Sequence, residues 1–214
     1  MQLTKFTHSC VRLDDGDRAL VIDPGVFSEI PAALDGAQAV LITHEHVDHI
    51  DMEKTGAALK ADPRLRLYAP AGVAGALAPE HAEQVVVVRP GEEFEAAGFP
   101  VQVFGGQHAV IHPQIPVVEN NGYFIAGSIY HPGDSFAVPP VPVQTLLLPT
   151  NAPWSKGSEV IDFAIAVRAP KTINVHDSLI TDVYAGLIEG HLKNIAGPFG
   201  VEHQHLAPGQ TISV

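Results

Sequence analysis

The chain has 214 residues, which fits one domain over residues 1–214, and its 24 acidic and 12 basic side chains give a formal charge of −12. Such acidity disfavours nucleic-acid and anionic-membrane partners, and the single cysteine, Cys10, excludes an intramolecular disulfide. Histidine is unusually frequent, with 12 residues. We expect a cytoplasmic protein, because the first residues have no apolar signal core and no stretch has the roughly 18 apolar residues of a membrane helix.

The first half of the chain is predicted to begin with strands and then to alternate strands with helices. Alternating or apolar runs predict strands over 2–7, 10–14, 19–23, 39–43, 65–68 and 85–88. Helices are predicted over 51–61 and 71–77. Asp51 is the expected N-cap of the first helix, and Cys10 is expected to be a buried, small apolar residue.

The second half repeats this order. Strands are predicted over 100–104, 122–126, 144–148 and 171–175. Helices are predicted over 158–168, capped by Ser158, and over 181–193, capped by Thr181 or Ser178. No linker separates the two similar halves. This order predicts an α/β fold in which two packed sheets lie between outer helices, a four-layer αββα sandwich.

A histidine-rich loop follows the apolar strand 39–43, where α/β proteins usually place their chemistry. Its sequence is Thr43-His44-Glu45-His46-Val47-Asp48-His49, with four candidate ligands within six residues. The loop can direct His44 and His46 to one point while Asp48 and His49 face a second point beside it. Imidazole and carboxylate together favour zinc, manganese or iron over magnesium or calcium. The alternative is a solvated loop without a metal.

With this loop the chain resembles the metallo-β-lactamase superfamily of metal-dependent hydrolases, and the resemblance covers nearly the whole sequence. Four further residues match that family's motifs in order: Asp23 at the end of a predicted strand, His108, Asp134 in Gly133-Asp134-Ser135, and His176 after another predicted strand. The resemblance implies an αββα fold of metallo-β-lactamase type with the site at one edge of the sheets.

The same resemblance implies ligands for two divalent ions, with zinc as the expected metal and manganese or iron as alternatives. The implied ligands of the first ion are His44, His46 and His108. The implied ligands of the second are Asp48, His49 and His176, and Asp134 would bridge the two ions. Asp23 is expected to orient a ligand histidine through its other ring nitrogen.

Within the superfamily, the chain is most similar to the small lactonase-like hydrolases. Its short length, the early Phe6-Thr7-His8-Ser9 and the segment Asn121-Gly122-Tyr123 carry this similarity. The chain departs from that subfamily's pattern at Asn174, where a proline is usual, and at Asp177, where a tyrosine often follows the last ligand.

Several other residues have two readings. His8 follows a strand and is either a proton donor or substrate contact at the site, or a structural histidine bonded to the backbone. His112 could line the entrance, and His131 is expected in a turn or beside the ligands. His203 and His205 share one face of a predicted strand, as an exposed polar face or a separate metal site.

The segment Thr150-Asn151-Ala152-Pro153-Trp154 follows strand 144–148 and should therefore reach the same sheet edge as the ligands. Trp154 is a candidate pocket wall, and Asn151 or Lys156 could contact substrate. The alternative is a packed loop with no role in the pocket.

The function predicted from these residues is hydrolysis of a small ester, lactone or phosphoester. A hydroxide bridging the two metals would attack the substrate, and Asp48 would orient it or take its proton. Alternatives are a nuclease or phosphodiesterase of the same superfamily, a di-iron redox protein, and a non-catalytic metal-binding module. The expected partner is a small-molecule substrate, and a homo-oligomer remains open.

Overall fold

The structure, a computed structural model, describes residues 1–214 and contains two seven-stranded sheets. The strands of the first sheet are β1 Gln2–Lys5, β2 Val11–Asp15, β3 Arg18–Ile22, β4 Ala39–Leu41, β5 Arg66–Ala69, β6 Val85–Val87 and β14 Thr211–Ser213. Their order is β14-β1-β2-β3-β4-β5-β6. The ladders from β14 to β3 are antiparallel, and those from β3 to β6 are parallel.

The second sheet is arranged in a similar way. Its strands are β7 Glu93–Ala96, β8 Phe99–Gln107, β9 Glu119–Ile125, β10 Ile129–His131, β11 Thr145–Pro149, β12 Lys171–Val175 and β13 Glu202–Gln204. Their order is β13-β12-β11-β10-β9-β8-β7. The ladders from β7 to β10 are antiparallel and those from β10 to β13 are parallel, so both sheets join an antiparallel half to a parallel half.

Five α-helices lie outside the sheets. They are α1 Ile30–Leu34, α2 Met52–Ala61, α3 Ala71–His81, α4 Gly157–Val167 and α5 Asp182–His191. A π-helical turn, Leu192–Ala196, and a 3₁₀ turn, Gly197–Phe199, follow α5. None of these helices has the length and apolarity needed to cross a membrane.

Three apolar clusters hold the layers together. The inner faces of the sheets pack on each other through residues such as Leu13, Leu41, Val101 and Ile173. A second cluster joins the outer face of the first sheet to α1, α2 and α3, and a third joins the second sheet to α4 and α5. The predicted four-layer αββα fold is confirmed.

Most predicted elements are present, with shifted ends. The predicted strand 39–43 ends two residues early, because Asp23 Oδ1 accepts the Thr43 N–H in place of a neighbouring strand. The predicted strand 122–126 begins earlier, at Glu119, because it pairs with the end of β8. The three short strands β7, β10 and β14 and the short helix α1 were not predicted.

The caps of three helices show what sequence can predict at helix ends. Asp51 caps α2 by accepting the Lys54 N–H at 3.0 Å, and Thr181 caps α5, as predicted. The prediction that Ser158 caps α4 is wrong. That helix begins at Gly157, because the carboxylate of Glu159 reaches back to the N–H of Lys156, which leaves Ser158 inside the first turn.

Candidate metal centre

Loops that follow the carboxyl ends of strands bring the predicted ligands to one edge of the two sheets. Asp23 follows β3, the loop 44–49 follows β4, and His108 follows β8. Asp134 follows β10, and His176 follows β12. This is the edge at which parallel α/β sheets place binding sites, because the chain ends of adjacent strands meet there.

Asp134 lies at the centre of the cluster. Its Oδ1 is 3.0 Å from His49 Nε2, and its Oδ2 is 3.1 Å from His176 Nε2 and 3.3 Å from His108 Nε2. The carboxylate is buried, and it is the acidic side chain that lies within 4 Å of all three histidines. It therefore has the position of a group shared between two neighbouring sites.

The donor atoms form three groups, in each of which the atoms lie within 4.8 Å of one another, and the third, His44, His49 and Asp134, connects the first two. The first group consists of His44, His46 and His108. The second consists of His8, Asp48, His49 and His176. The first two groups correspond to the two ligand sets implied by the sequence, with His8 added to the second.

The chemistry of the cluster fits divalent cations. Five buried atoms of the cluster make no hydrogen bond of good geometry, although oppositely charged groups lie close to four of them: Nε2 of His44, His49, His108 and His176, and Oδ1 of Asp134. An unpaired buried polar group costs about 1–3 kcal/mol, so several together at one point indicate that a ligand satisfies them. Imidazole nitrogens with carboxylate oxygens are a donor set suited to zinc, manganese or iron.

Hydrogen bonds to the opposite ring nitrogens fix the ligand histidines. His176 Nδ1 lies 2.7 Å from the carbonyl oxygen of Asn151, and His108 Nδ1 contacts the carbonyl oxygen of Ala109. Because a carbonyl only accepts, both nitrogens must carry the proton, which leaves Nε2 free to bind a metal. Asn151 thus contributes its backbone, rather than the side chain that the sequence analysis considered.

Asp23 orients His49 and the start of the histidine-rich loop. Its Oδ2 lies 2.7 Å from His49 Nδ1 and accepts a hydrogen bond from Thr43 Oγ1 at 2.7 Å. Its Oδ1 accepts the Thr43 N–H at 2.8 Å. Thr43 Oγ1 also lies 3.0 Å from His44 Nδ1, so one buried carboxylate and one hydroxyl organise two ligands. The sequence analysis did not identify this role of Thr43.

Charges within the metal-free cluster shift the pKa values of its histidines in opposite directions. Burial disfavours the imidazolium of His176, but the carboxylate of Asp134 outweighs it and raises the pKa of His176 to about 9. The pKa of His49 is likewise raised, by Asp134 and Asp23 against burial. Burial lowers the pKa of His44, and neighbouring His49 lowers it further. Positive charge therefore concentrates beside Asp134, where a cation would replace it.

His8 lies in the second donor group. Its Nε2 is 3.1 Å from Asp48 Oδ2, and its Nδ1 is 2.8 Å from Ser178 Oγ and 3.5 Å from the Ser178 backbone nitrogen. Its ring packs on His176, with 4.0 Å between the centroids. The sequence left two roles for His8, a group at the site or a structural histidine bonded to the backbone. The position of its ring favours the first, because its bond with the backbone nitrogen of Ser178 is long.

Trp154 forms a wall beside Asp134. Its indole N–H donates to Asp134 Oδ2 at 2.8 Å, and its ring packs edge-on against Phe136, with 4.9 Å between the centroids. His112 is exposed, with Nδ1 accepting the Gln114 N–H, and Lys156 is exposed at the start of α4, so lining of the entrance by His112 and substrate contact by Lys156 stay predictions.

His131 shapes the turn that presents Asp134. Its Nδ1 accepts the Gly133 N–H at 3.1 Å, so Nε2 carries the proton and donates to the Ser9 carbonyl. Gly133 has a φ of 61°, and a Cβ there would lie 2.3 Å from Asn120 Oδ1. Only glycine fits this close approach, which explains the glycine before Asp134.

The pair His203 and His205 matches neither reading from sequence. His205 is exposed and pairs with Glu189 at 2.8 Å. His203 is half-buried, with Nδ1 2.9 Å from Thr172 Oγ1 and with Nε2 shielded from solvent. No third donor completes a metal site around them. They are therefore neither a metal site nor a wholly exposed face.

An apolar rim, which we define as Val26, Phe27 and Val47, lies beside the second donor group. Phe27 is 43% exposed, and its ring centroid is 5.3 Å from that of His8. Val47 is 64% exposed, and its carbonyl accepts the Val26 N–H. The rim was not predicted, because no local sequence pattern indicates that the loop after β3 and the loop after β4 meet there.

Comparisons with known proteins show which family the chain resembles. Residues 2–176 match the sequence model of a family described as "Beta-lactamase superfamily domain". The chain is 39% identical over 200 residues to "Protein Rv0786c" of Mycobacterium tuberculosis (strain ATCC 25618 / H37Rv), an alignment that covers 91% of this chain and 92% of that protein.

Two solved structures show the same fold at low sequence identity. Igni18, described as a novel metallo hydrolase from Ignicoccus hospitalis, has a TM-score of 0.76 and 18% identity, with 99% of this chain and 97% of that chain covered. The metallo-β-lactamase fold protein YhfI from Bacillus subtilis has a TM-score of 0.72 and 17% identity, with 96% and 91% covered.

Proposed function

The chain belongs to the metallo-β-lactamase superfamily and is a metal-dependent hydrolase, and on that premise we propose that it is a two-metal enzyme acting on a small molecule. The bond that it cleaves is an ester, lactone or phosphoester. Zinc is the proposed resident metal, since five imidazoles and two carboxylates are donors that zinc accepts readily.

A single observation carries the two-metal proposal: the donor atoms of His44, His46 and His108 form one group, those of His8, Asp48, His49 and His176 form another, and the buried carboxylate of Asp134 contacts members of both. The residues that would hold the first ion are His44, His46 and His108. The residues that would hold the second are Asp48, His49 and His176, with Asp134 shared between the ions. When bound, the two ions would polarise the substrate and lower the pKa of water toward 7.

Asp48 is the carboxylate best placed to act on water. Its side chain is 22% exposed, whereas those of Asp23 and Asp134 are buried. Burial opposes ionisation of Asp48, but hydrogen bonds with His176 and His8 outweigh it and hold its pKa far below the usual range. Asp48 is therefore ionised at neutral pH and suited to orient a water molecule by accepting its proton in a hydrogen bond.

His8 has a proposed role in holding Asp48. With Nδ1 accepting from Ser178, Nε2 carries the proton and donates to Asp48 Oδ2. Burial lowers the pKa of His8, and its bond with Asp48 only partly offsets this. A neutral His8 can therefore orient Asp48 at neutral pH and accept a proton at Nδ1 through the hydroxyl of Ser178.

The surroundings of the site support a substrate with an apolar part. The apolar rim places exposed Phe27 and Val47 beside Asp48 and His8, where a substituent of the substrate would bury them. The charge of −12 disfavours a polyanionic substrate. Both features favour a small ester or lactone over the nuclease alternative.

Metal analysis combined with an activity screen tests the proposal. Purified protein is stripped with a chelator, reloaded with zinc, manganese or iron, and assayed on esters, lactones, thioesters and phosphodiesters. We expect activity to vanish on chelation, to return with metal, and to be lost in His46→Ala. Full turnover by metal-free protein, or by His46→Ala without bound metal, would overturn the proposal.

A further inference from the structure

Lys5, the last residue of β1, has a fully buried ammonium group close to the second donor group. Its side chain is 0% exposed, and Nζ lies 2.9 Å from the Phe6 carbonyl, 3.3 Å from the His8 carbonyl and 3.1 Å from Asp177 Oδ1. Three acceptors thus match the three N–H donors of a lysine. A buried charge is tolerated when it is paired and hydrogen-bonded in this way.

The ion pair joins two loops that carry residues of the site. Lys5 precedes His8 by three residues on the first sheet, and Asp177 directly follows His176 on the second sheet. The His8 carbonyl accepts both from Lys5 Nζ and from the His176 backbone N–H, at 3.3 and 3.2 Å. The link therefore crosses from one sheet to the other at the site.

The two histidines need such support, because both have left-handed backbone. The φ angle is 67° at His8 and 57° at His176. This conformation costs a residue with a side chain roughly 1–2 kcal/mol, so contacts around it must hold it in place. Lys5 supplies one such contact to the His8 carbonyl, and the pairing of Asp177 fixes the residue after His176.

Asn174 completes the arrangement. Its Nδ2 donates to Asp177 Oδ2 and to the Leu206 carbonyl, and its Oδ1 accepts the Leu206 N–H at 2.7 Å. Asn174 and Asp177 are the two positions at which the chain departs from the lactonase-like pattern. Asn174 and Asp177 therefore belong to one hydrogen-bond network with Lys5, a residue that the sequence patterns do not indicate.

We propose that the Lys5–Asp177 ion pair is a positioning element that holds His8 and His176 in place for the second metal ion. This inference rests on the proposed two-metal function. Lys5 contacts none of the donor atoms, so it acts through the backbone of the two loops. The first ion, which is assigned to His44, His46 and His108, should not depend on the pair.

Zinc stoichiometry tests this role without relying on activity. Stripped protein is titrated with zinc, dialysed, and analysed for zinc per chain. We expect two ions in the wild type and close to one in Lys5→Met, with the affinity for the remaining ion unchanged within about twofold. Lys54→Met is the matched control, because it removes a lysine whose partner, Asp51, is not among the donor groups, and it should keep two ions.

A second variant separates positioning from stability. Lys5→Met leaves Asp177 without its cation, whereas Lys5→Met/Asp177→Asn removes both charges and should recover much of the lost thermal stability. We expect the double variant to be more stable and still to hold close to one ion. Two ions at wild-type affinity in either variant would overturn the inference. Fewer than two ions in the wild type would instead contradict the proposed function.

Discussion

The indole N–H of Trp154 donates to Asp134 Oδ2 at 2.8 Å, which places the chain's only tryptophan against the carboxylate proposed to be shared by two metals. Hydrogen bonds from neighbouring groups orient metal-binding carboxylates and commonly affect metal affinity as strongly as some ligands do. Trp154 is therefore both a support for the Asp134 carboxylate and a natural reporter of events there.

Replacing Trp154 by Phe should weaken zinc binding roughly tenfold, since a hydrogen bond to a charged group contributes about 1.5 kcal/mol. Calorimetric zinc titration measures the affinity of both proteins, and in the wild type the same titration should also change the tryptophan emission. Phe136→Leu is the control, because it alters packing on the indole but leaves its N–H bond in place. Equal zinc affinity in Trp154→Phe and wild type would contradict the prediction.

Asp23→Asn should lower zinc affinity about 10–100-fold. The Asp23 carboxylate accepts three hydrogen bonds, from the backbone N–H and the hydroxyl of Thr43 and from His49 Nδ1. An amide has one accepting oxygen, so it cannot replace both carboxylate oxygens. The His49 ring would then no longer be fixed with Nε2 free. Asp51→Asn serves as control, since it weakens the cap of α2 and should leave the affinity unchanged. Calorimetric zinc titration of both variants makes the comparison.

Zinc binding should release protons. In the metal-free protein the pKa of His176 is about 9, because Asp134 outweighs the effect of burial, so this ring is mostly protonated at pH 7.5. Its contribution to metal-free stability is complete below about pH 6.5 and is lost as the pH rises through 9. Since an imidazolium cannot bind metal, zinc affinity should rise with pH up to about 9.

Calorimetry in buffers of different ionisation enthalpy counts these protons directly. At pH 7.5 we expect about one or more protons released per chain as the zinc sites fill. His176→Ala should release fewer protons than the wild type. No dependence of the binding enthalpy on the buffer would show that the ligands are already neutral, contrary to the prediction.

His203 should make the protein sensitive to mild acid, independently of the metal site. Burial, aided by His205, lowers the pKa of His203 to about 4, against about 6.5 in an unfolded chain. The folded state therefore resists protonation, so the contribution of His203 to stability is complete above pH 6.5 and falls as the pH drops to 4. The change is on the order of 3 kcal/mol.

Urea unfolding at pH 7.5 and 4.5 measures this effect. Between pH 7.5 and 4.5, the free energy of unfolding should fall by about 2–3 kcal/mol less in His203→Asn than in the wild type. The amide of the variant can keep the bond with Thr172. His191→Asn replaces an exposed histidine and should behave like the wild type. Parallel losses in all three proteins would contradict a neutral His203 in the folded state.

The fold could be predicted because apolar runs mark its central strands, and several predicted ligands follow such strands, whereas Asp134 follows β10, which was not predicted. Val40 and Leu41 identify β4 by composition alone, and His44 follows directly. Helix caps were less predictable, because a cap depends on which side chain reaches the free N–H groups. At α4 Glu159 bonds the Lys156 N–H, and Ser158 therefore has no capping role.

Contacts between distant loops could not be predicted from local patterns. Lys5 and Asp177 are 172 residues apart and meet only because β1 and β12 end at the same edge of the two sheets. Phe27 comes to lie against His8 for the same reason. A sequence pattern indicates which residues bind metal, whereas the positions of the supporting residues depend on how the sheets pack.

Anomalous diffraction at the zinc edge, from crystals of zinc-loaded protein, tests the two-metal account most directly. The account predicts two peaks on either side of the Asp134 carboxylate, one among His44, His46 and His108 and the other among Asp48, His49 and His176. A single peak, or peaks remote from Asp134, in crystals grown with excess zinc would contradict it.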